Sequence, residues 1–254
     1  MLEEYVRARS RPGRILLMTH IVVGYPSLDA SLRIVETMVN AGVDLMELQI
    51  PFSEPIADGP VILRANAEAL AAGSTVQRCL DFAAAVTQRF DVPFVFVAYY
   101  NTLNRFGIRN FVREMAARGV RGAIVPDLPP EEGAEYLAAM SEAGLSPILL
   151  FSPTTTPDRL QYLAGHARGF VYCLARRGVT GAETSFSTGL GQDLERYRAA
   201  TPLPLAVGFG VKERKDVDFL IGKAEIAIVG SHALRVIDEQ GVEAVGPFVK
   251  SLRG

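Results

Sequence analysis

The sequence predicts an α/β protein: a single (β/α)8 TIM barrel of 254 residues, with a short N-terminal helix and extra helices in its loops. About eight apolar, strand-like runs alternate with helical patterns from one end to the other. No composition break, linker or low-complexity stretch divides residues 1 to 254, so one domain accounts for the chain. Glycine, proline and polar residues collect where the apolar runs stop, and a barrel gathers those loops at the C-terminal face of its strands, where its active sites lie. An open doubly wound sheet is the competitor. It would place a Gly-x-Gly-x-x-Gly turn after the first strand, and Gly24-Tyr25-Pro26 is not that turn.

Residues 2 to 8 read as the charged N-terminal helix. The run from Ile15 through His20 to Val23 is a first buried strand, stopped by Gly24 and Pro26. Ser27 caps a helix over 28 to 41, with Leu28, Leu32, Val35 and Val39 at helical spacing and Gly42 behind it. Residues 45 to 50 form strand two, which Pro51, Pro55 and the Asp58-Gly59-Pro60 turn prevent from continuing. Helical segments fill 60 to 90, broken near Gly73 and Ser74, and strand three runs from Pro93 to Tyr100. A helix over 107 to 118, strand four from Gly122 and a helix from Pro130 to residue 143 follow. Strand five covers 146 to 151, a helix starts at 157, and strand six covers 169 to 175. The polar, glycine-rich segment 176 to 189 reads as a mobile lid. Strands seven and eight, 203 to 207 and 226 to 229, run into Gly208-Phe209-Gly210 and Gly230-Ser231-His232.

A formal charge of -2 leaves no basic footprint, so nucleic acid is not expected and an anionic substrate needs a local site. Cys79 and Cys173 sit among apolar residues without metal-type spacing, as reduced thiols do, so neither a structural disulfide nor a metal site is expected. No apolar run approaches the roughly 20 residues that span a bilayer, and the charged N-terminus lacks a signal region; the expected place is the cytoplasm, away from membranes.

Residues 44 to 60 carry the strongest chemical signal. Glu47 stands among Leu45, Met46, Leu48 and Ile50, and a carboxylate in such company costs several kcal/mol unless it is paired, solvated or protonated. Use in chemistry explains it, as does a core arginine or a set of backbone donors. In the barrel, Glu47, Asp58, Asp127, Tyr172 and the late glycines converge on one face. The glycine turns after the last two strands allow a phosphate to approach the backbone of Phe209, Gly210, Gly230 and Ser231. Gly178-Val179-Thr180-Gly181 either closes over that phosphate or is an ordinary flexible loop.

The stretch MELQIPFSEPIADGP at 46 to 60 resembles the signature LELGxPFSDPxADGP of tryptophan synthase α subunits. The likeness extends in order through Gly24-Tyr25-Pro26, Tyr99-Tyr100-Asn101, Asp127-Leu128-Pro129, residues 172 to 181, Gly208-Phe209-Gly210 and Gly230-Ser231, across nearly the whole chain. The resemblance implies retro-aldol cleavage of a small phosphate substrate, indole-3-glycerol phosphate, to indole and glyceraldehyde 3-phosphate. It implies no metal and no cofactor in this chain, and an α2β2 complex in which indole passes to a β subunit carrying pyridoxal phosphate (PLP). By the same resemblance Glu47, Asp58 and Tyr172 are catalytic, Thr180 helps hold Asp58, and Thr180, Gly181, Phe209, Gly210, Gly230 and Ser231 bind the substrate and its phosphate. The residue types suit that chemistry. Glu47 in its apolar strand can have a raised pKa and shuttle protons, while Asp58 on its loop stays ionised and accepts from the indole nitrogen.

Three positions depart from the pattern: Gln49 stands for glycine, Glu54 for aspartate in a segment that in the family the chain resembles faces the β subunit, and His20 for an apolar or aromatic wall residue. None removes a catalytic group. The loop 51 to 60 is expected to be mobile until the β subunit fixes it. Two further readings are a stand-alone lyase that releases indole, and a β-activating subunit without useful turnover because Gln49 crowds the site.

Overall fold

The computed structural model describes residues 1–175, 188–208 and 210–253. Thr180, Gly181 and Phe209, and the expected lid up to Ser187, lie outside the described residues. The strands are β1 (Leu16–Val22), β2 (Leu45–Gln49), β3 (Phe94–Val97), β4 (Gly122–Ile124), β5 (Ser146–Ile148), β6 (Leu150–Phe151), β7 (Val171–Leu174), β8 (Leu205–Gly208) and β9 (Ile226–Val229). They are parallel, in the spatial order β5-β4-β3-β2-β1-β9-β8-β7-β6. Because β5 and β6 follow one another along the chain, the two ends of the sheet meet at Leu149, and the barrel closes there. The Leu149 carbonyl accepts the Tyr172 N–H at 2.9 Å.

The expected fifth strand is thus two short pieces, and Pro147 explains the break. Its carbonyl faces β7 and accepts the Arg168 N–H at 2.9 Å, but it has no N–H to return, so strand pairing with β7 begins only at Leu150. On the other side the ladder to β4 is unaffected, because Ser146 donates to the Arg121 carbonyl at 3.1 Å.

The helices that wrap the sheet are α1 (Leu2–Arg9), α2 (Leu28–Asn40), α3 (Pro60–Ala71), α4 (Val76–Arg89), α5 (Tyr100–Phe106) and α6 (Ile108–Ala117). After them come α7 (Ala134–Glu142), α8 (Pro157–His166), α9 (Thr188–Ala200), α10 (Arg214–Leu220), α11 (Ser231–Gln240) and α12 (Val245–Arg253). Caps follow the sequence reading at Ser27, whose Oγ accepts from the Ala30 N–H at 3.1 Å. Three expectations are corrected. Strand three stops at Val97, and residues from Tyr100 form α5 instead, because Asp127 Oδ1 accepts the Tyr100 N–H at 2.8 Å and supplies a cap from another loop. Pro130 does not start α7; turns closed by the Glu132 and Gly133 N–H groups on the Pro129 and Pro130 carbonyls, each 3.1 Å, delay it to Ala134. Thr188 and Gly189, assigned to the lid, belong to α9. No described helix is long and apolar enough to cross a membrane.

Side chains alternate across each strand, so the sheet separates two apolar layers. Leu17, Ile21, Met46, Leu48, Val171, Val207 and Val229 face the helices. Leu16, Met18, Leu45, Val95, Ile124, Ile148, Ala206, Ile226 and Ile228 fill the barrel, and Leu2 and Val6 of α1 pack with them. Going up the inward rows, Leu16 and Met18 give way to His20, and Leu45 to Glu47 and Gln49. The interior therefore turns from apolar to polar toward the C-terminal ends of the strands, as a barrel with its site at that face requires.

Candidate active site

At the polar end of the barrel lies a cleft of about 920 Å³ of empty space, measured out to solvent. Glu47, Asp58, Tyr172, Gly210, Gly230 and Ser231, six of the residues singled out in the sequence, line it together. His20 lines it as well. Asp127 does not; its side chain caps α5.

Glu47 is 2% exposed. The β1–β2 register sets His20 directly opposite it, and His20 Nδ1 meets Glu47 Oε2 at 2.9 Å. The other carboxylate oxygen, Oε1, has no hydrogen bond among the described residues. The buried glutamate is therefore satisfied through one oxygen only, by a histidine rather than by the core arginine or backbone donors that an inert position would use.

Asp58 is held through Oδ2. Gln49 Nε2 donates to Asp58 Oδ2 at 2.7 Å, and the Tyr99 hydroxyl donates to the same oxygen at 3.0 Å. The loop itself is anchored: the Ala57 N–H donates to the Tyr99 oxygen at 3.0 Å, and the Phe52 N–H to Asn66 Oδ1 at 2.9 Å. Burial pushes the Asp58 carboxyl above its ordinary value, opposed by the Gln49 hydrogen bond, the nearby His20 and the Tyr99 hydroxyl. Gln49 thus bonds to Asp58 and does not merely fill space beside Glu47.

Tyr172 packs over the backbone of β8. A Cβ on Gly208 would stand 2.4 Å from its hydroxyl oxygen, so only glycine leaves room for the ring. Burial, with the charges of Glu47 and Asp58 nearby, drives the phenol well above its usual pKa; it remains protonated and can donate.

The wall beside His20, where β9 neighbours β1, suits an anion. Gly230 is the N-terminal cap of α11 and Ser231 its first residue, so the first N–H groups of a ten-residue helix open toward the cleft. Gly210 adopts φ 112, which an L side chain rarely takes. Lys212 and Arg235 also line this wall, and the sequence reading missed both. Their signal was their place, Lys212 just past the first glycine turn and Arg235 one helical turn after Ser231. Burial, together with these two cations, lowers the His232 pKa. Asn66, which pins the loop, was missed too; a wholly buried amide in an otherwise apolar helix face was the clue. Among the described residues no group of three His, Cys, Asp or Glu side chains is placed to hold a metal ion.

The arrangement offers two carboxylates, Glu47 with an oxygen that has no partner among the described residues, a phenol donor on β7, and a helix N-terminus in the same cleft. Comparison with known proteins is consistent throughout. The family model described as tryptophan synthase alpha chain matches residues 6–248. The tryptophan synthase alpha chain of Syntrophotalea carbinolica is 59% identical over 253 residues, covering 100% of both chains. That of Desulforapulum autotrophicum is 60% identical over 252 residues, covering 99% of this chain and 100% of its own. Among solved structures, tryptophan synthase of Mycobacterium tuberculosis superposes with a TM-score of 0.91 at 33% identity, over 99% of this chain and 95% of that one. By fold, by site and by these likenesses, the chain belongs to the tryptophan synthase alpha chain family.

Proposed function

We propose that the chain is a lyase that cleaves indole-3-glycerol phosphate to indole and glyceraldehyde 3-phosphate. The observation that carries this is the pairing of Glu47, whose Oε1 has no partner among the described residues, with Asp58 in one cleft that the N-terminus of α11 also lines. A retro-aldol cleavage needs a proton on indole C3, removal of the proton from the adjacent side-chain hydroxyl, and relief of charge at the indole nitrogen. Glu47 gives the first proton and takes the second through Oε1, so the carbon–carbon bond breaks with its electrons returning to the ring and the hydroxyl carbon becoming the aldehyde. Asp58 accepts from the indole N–H and stabilises the positive charge there. The Tyr172 phenol donates near the reacting carbons. The phosphate lies against the backbone of Gly210, Gly230 and Ser231, with Phe209, Thr180 and Gly181 completing its site and Lys212 and Arg235 supplying charge.

The chain works with a β subunit in an α2β2 complex, and the indole passes to PLP chemistry there; the protein's own cleft has the acid, base and anion groups that cleavage uses, and no PLP step belongs to it. The test is indole formation from indole-3-glycerol phosphate by the purified chain, with and without a β subunit. Cleavage is expected in both, faster with β; a partner-saturated rate without β would favour a stand-alone lyase. Glu47→Gln should lose at least about a hundredfold in turnover while keeping its fold, since general acid–base groups contribute roughly 10²–10⁴-fold. Near-normal turnover in that variant would move the proton transfers to another group.

A further inference from the structure

His20 and Gln49 stand in the most buried part of the site, 4% and 0% exposed, and both differ from the pattern the signature follows. Each has two hydrogen-bonding atoms. One is used on a carboxylate: His20 Nδ1 on Glu47 Oε2 and Gln49 Nε2 on Asp58 Oδ2, with a longer branch to Asn66 Oδ1 at 3.3 Å. The other, His20 Nε2 or Gln49 Oε1, has no partner among the described residues. A buried polar side chain left half satisfied is a poor choice for packing, because an apolar one of similar size avoids the desolvation penalty. The carboxylates, and not the core, account for the two side chains.

Resting on the cleavage reading above, we propose that His20 and Gln49 are positioning residues, each a hydrogen-bond donor that holds one oxygen of a reacting carboxylate and leaves the other for the substrate. With the transferable proton on Glu47 Oε1, Oε2 is an acceptor only, so the His20 contact places the ring proton on Nδ1 and leaves Nε2 bare. Glu47 Oε1 is then the oxygen that moves protons, and its direction is set by the cross-strand bond at Oε2. The strand register makes that bond possible, since His20 and Glu47 are Cα partners and Gln49 is the next inward residue beyond Glu47 on β2. Asp58 is oriented in turn by Gln49 and Tyr99, both donating to Oδ2.

The test compares indole formation by full-length variants. His20→Leu and Gln49→Met, which keep volume and remove the donor, should each lower kcat by roughly 10–100-fold with little change in KM, because misplacing a reacting group by about 1 Å can cost about a hundredfold. His20→Asn, whose amide nitrogen falls near the Nδ1 position, should recover most of the loss, and His20→Gln, whose amide nitrogen falls near Nε2, should not. If His20→Leu fails to fold, the Asn and Gln pair still decides, together with 15N spectra of the wild-type protein, whose three histidines are His20, His166 and His232. Those spectra should show His20 protonated at Nδ1 and bare at Nε2. Wild-type kcat in either donor-free variant, equal rates for His20→Asn and His20→Gln, or a His20 proton on Nε2 would overturn the proposal. Glu47→Gln separates the two levels: an active Glu47→Gln overturns the cleavage reading itself, whereas an inactive one beside a fully active His20→Leu overturns only the role of His20.

Discussion

Adding one methyl group to β8, by Gly208→Ala, should slow indole formation by roughly a hundredfold through Tyr172 alone. The new Cβ would lie 2.4 Å from the Tyr172 hydroxyl oxygen, 2.5 Å from Cε1 and 2.6 Å from Cζ. Non-bonded heavy atoms settle near 3.5–4.0 Å, so the ring must withdraw by about 1 Å. The backbone cannot absorb the shift. Tyr172 pairs with Ala206 and Leu174 with Gly208 in one ladder, and β8 is tied on its far side to β9. Gly208 does not use left-handed backbone, so alanine is not strained there on its own account. Overpacking of this kind costs about 1–3 kcal/mol, and the displaced phenol is also moved from its place beside Glu47 and Asp58. Steady-state indole release and a thermal melt would be read together for Gly208→Ala and for Gly208→Ala combined with Tyr172→Ala. Both the rate and the melting temperature should fall in the single variant, and the double variant should be less destabilised than the sum of its parts. A single variant with wild-type kcat and an unchanged melt would refute the placement of Tyr172 over β8.

Asp58→Asn should lose at least about a hundredfold in kcat: Gln49 and Tyr99 both donate, so they capture the amide oxygen and turn its NH2 toward the indole N–H, donor against donor. Full activity in that variant would remove Asp58 from the mechanism. The acid limb of the kcat/KM profile should move to higher pH in Gln49→Met. Burial already raises the Asp58 carboxyl and the Gln49 bond is the largest force opposing it, while the ionised form needed for activity is lost as pH falls through the folded pKa. A limb that stays in place would refute this. Gly210→Val should raise KM more than it lowers kcat, and should destabilise by about 1–3 kcal/mol because φ 112 is unsuited to a β-branched residue. An unchanged KM for the phosphate substrate would remove Gly210 from the anion site.

The alternation of strands and helices could be read from the chain because parallel strands covered on both faces appear as unbroken apolar runs, and Glu47 stood out against one of them. Contacts between distant segments could not be read. His20 and Glu47 are 27 residues apart, and their bond depends on which strands become neighbours and in what register. The start of α5 is hidden for the same reason, since its cap comes from Asp127 on the next loop. The divided fifth strand was within reach of the sequence: Pro147 announces a missing donor, although not which neighbour would feel it. Lys212 and Arg235 look like ordinary surface cations until the barrel places them beside Gly210 and Ser231.

The loop 51 to 60 has two faces, and they divide its work. Inward, Phe52 stacks on Tyr99 with ring centroids 5.2 Å apart, Asn66 takes the Phe52 N–H, Tyr99 takes the Ala57 N–H, and Asp58 is held by Gln49 and Tyr99. Neutral hydrogen bonds contribute about 0.5–1.5 kcal/mol each and those to charged groups about 1.5–3, so these contacts offset a large part of the cost of ordering the loop and favour the arrangement that orients Asp58. Outward, Glu54 is exposed and Ile56 is 73% exposed, an apolar side chain facing solvent at the tip. A β subunit that covers this tip would gain from burying Ile56, yet it would find Asp58 already oriented. What the partner can add through this loop is then limited to the differential affinity between the anchored arrangement and any competing one. Each hydrogen bond made by Gln49 and Tyr99 narrows that difference, and with it the share of the cleavage rate that depends on the β subunit.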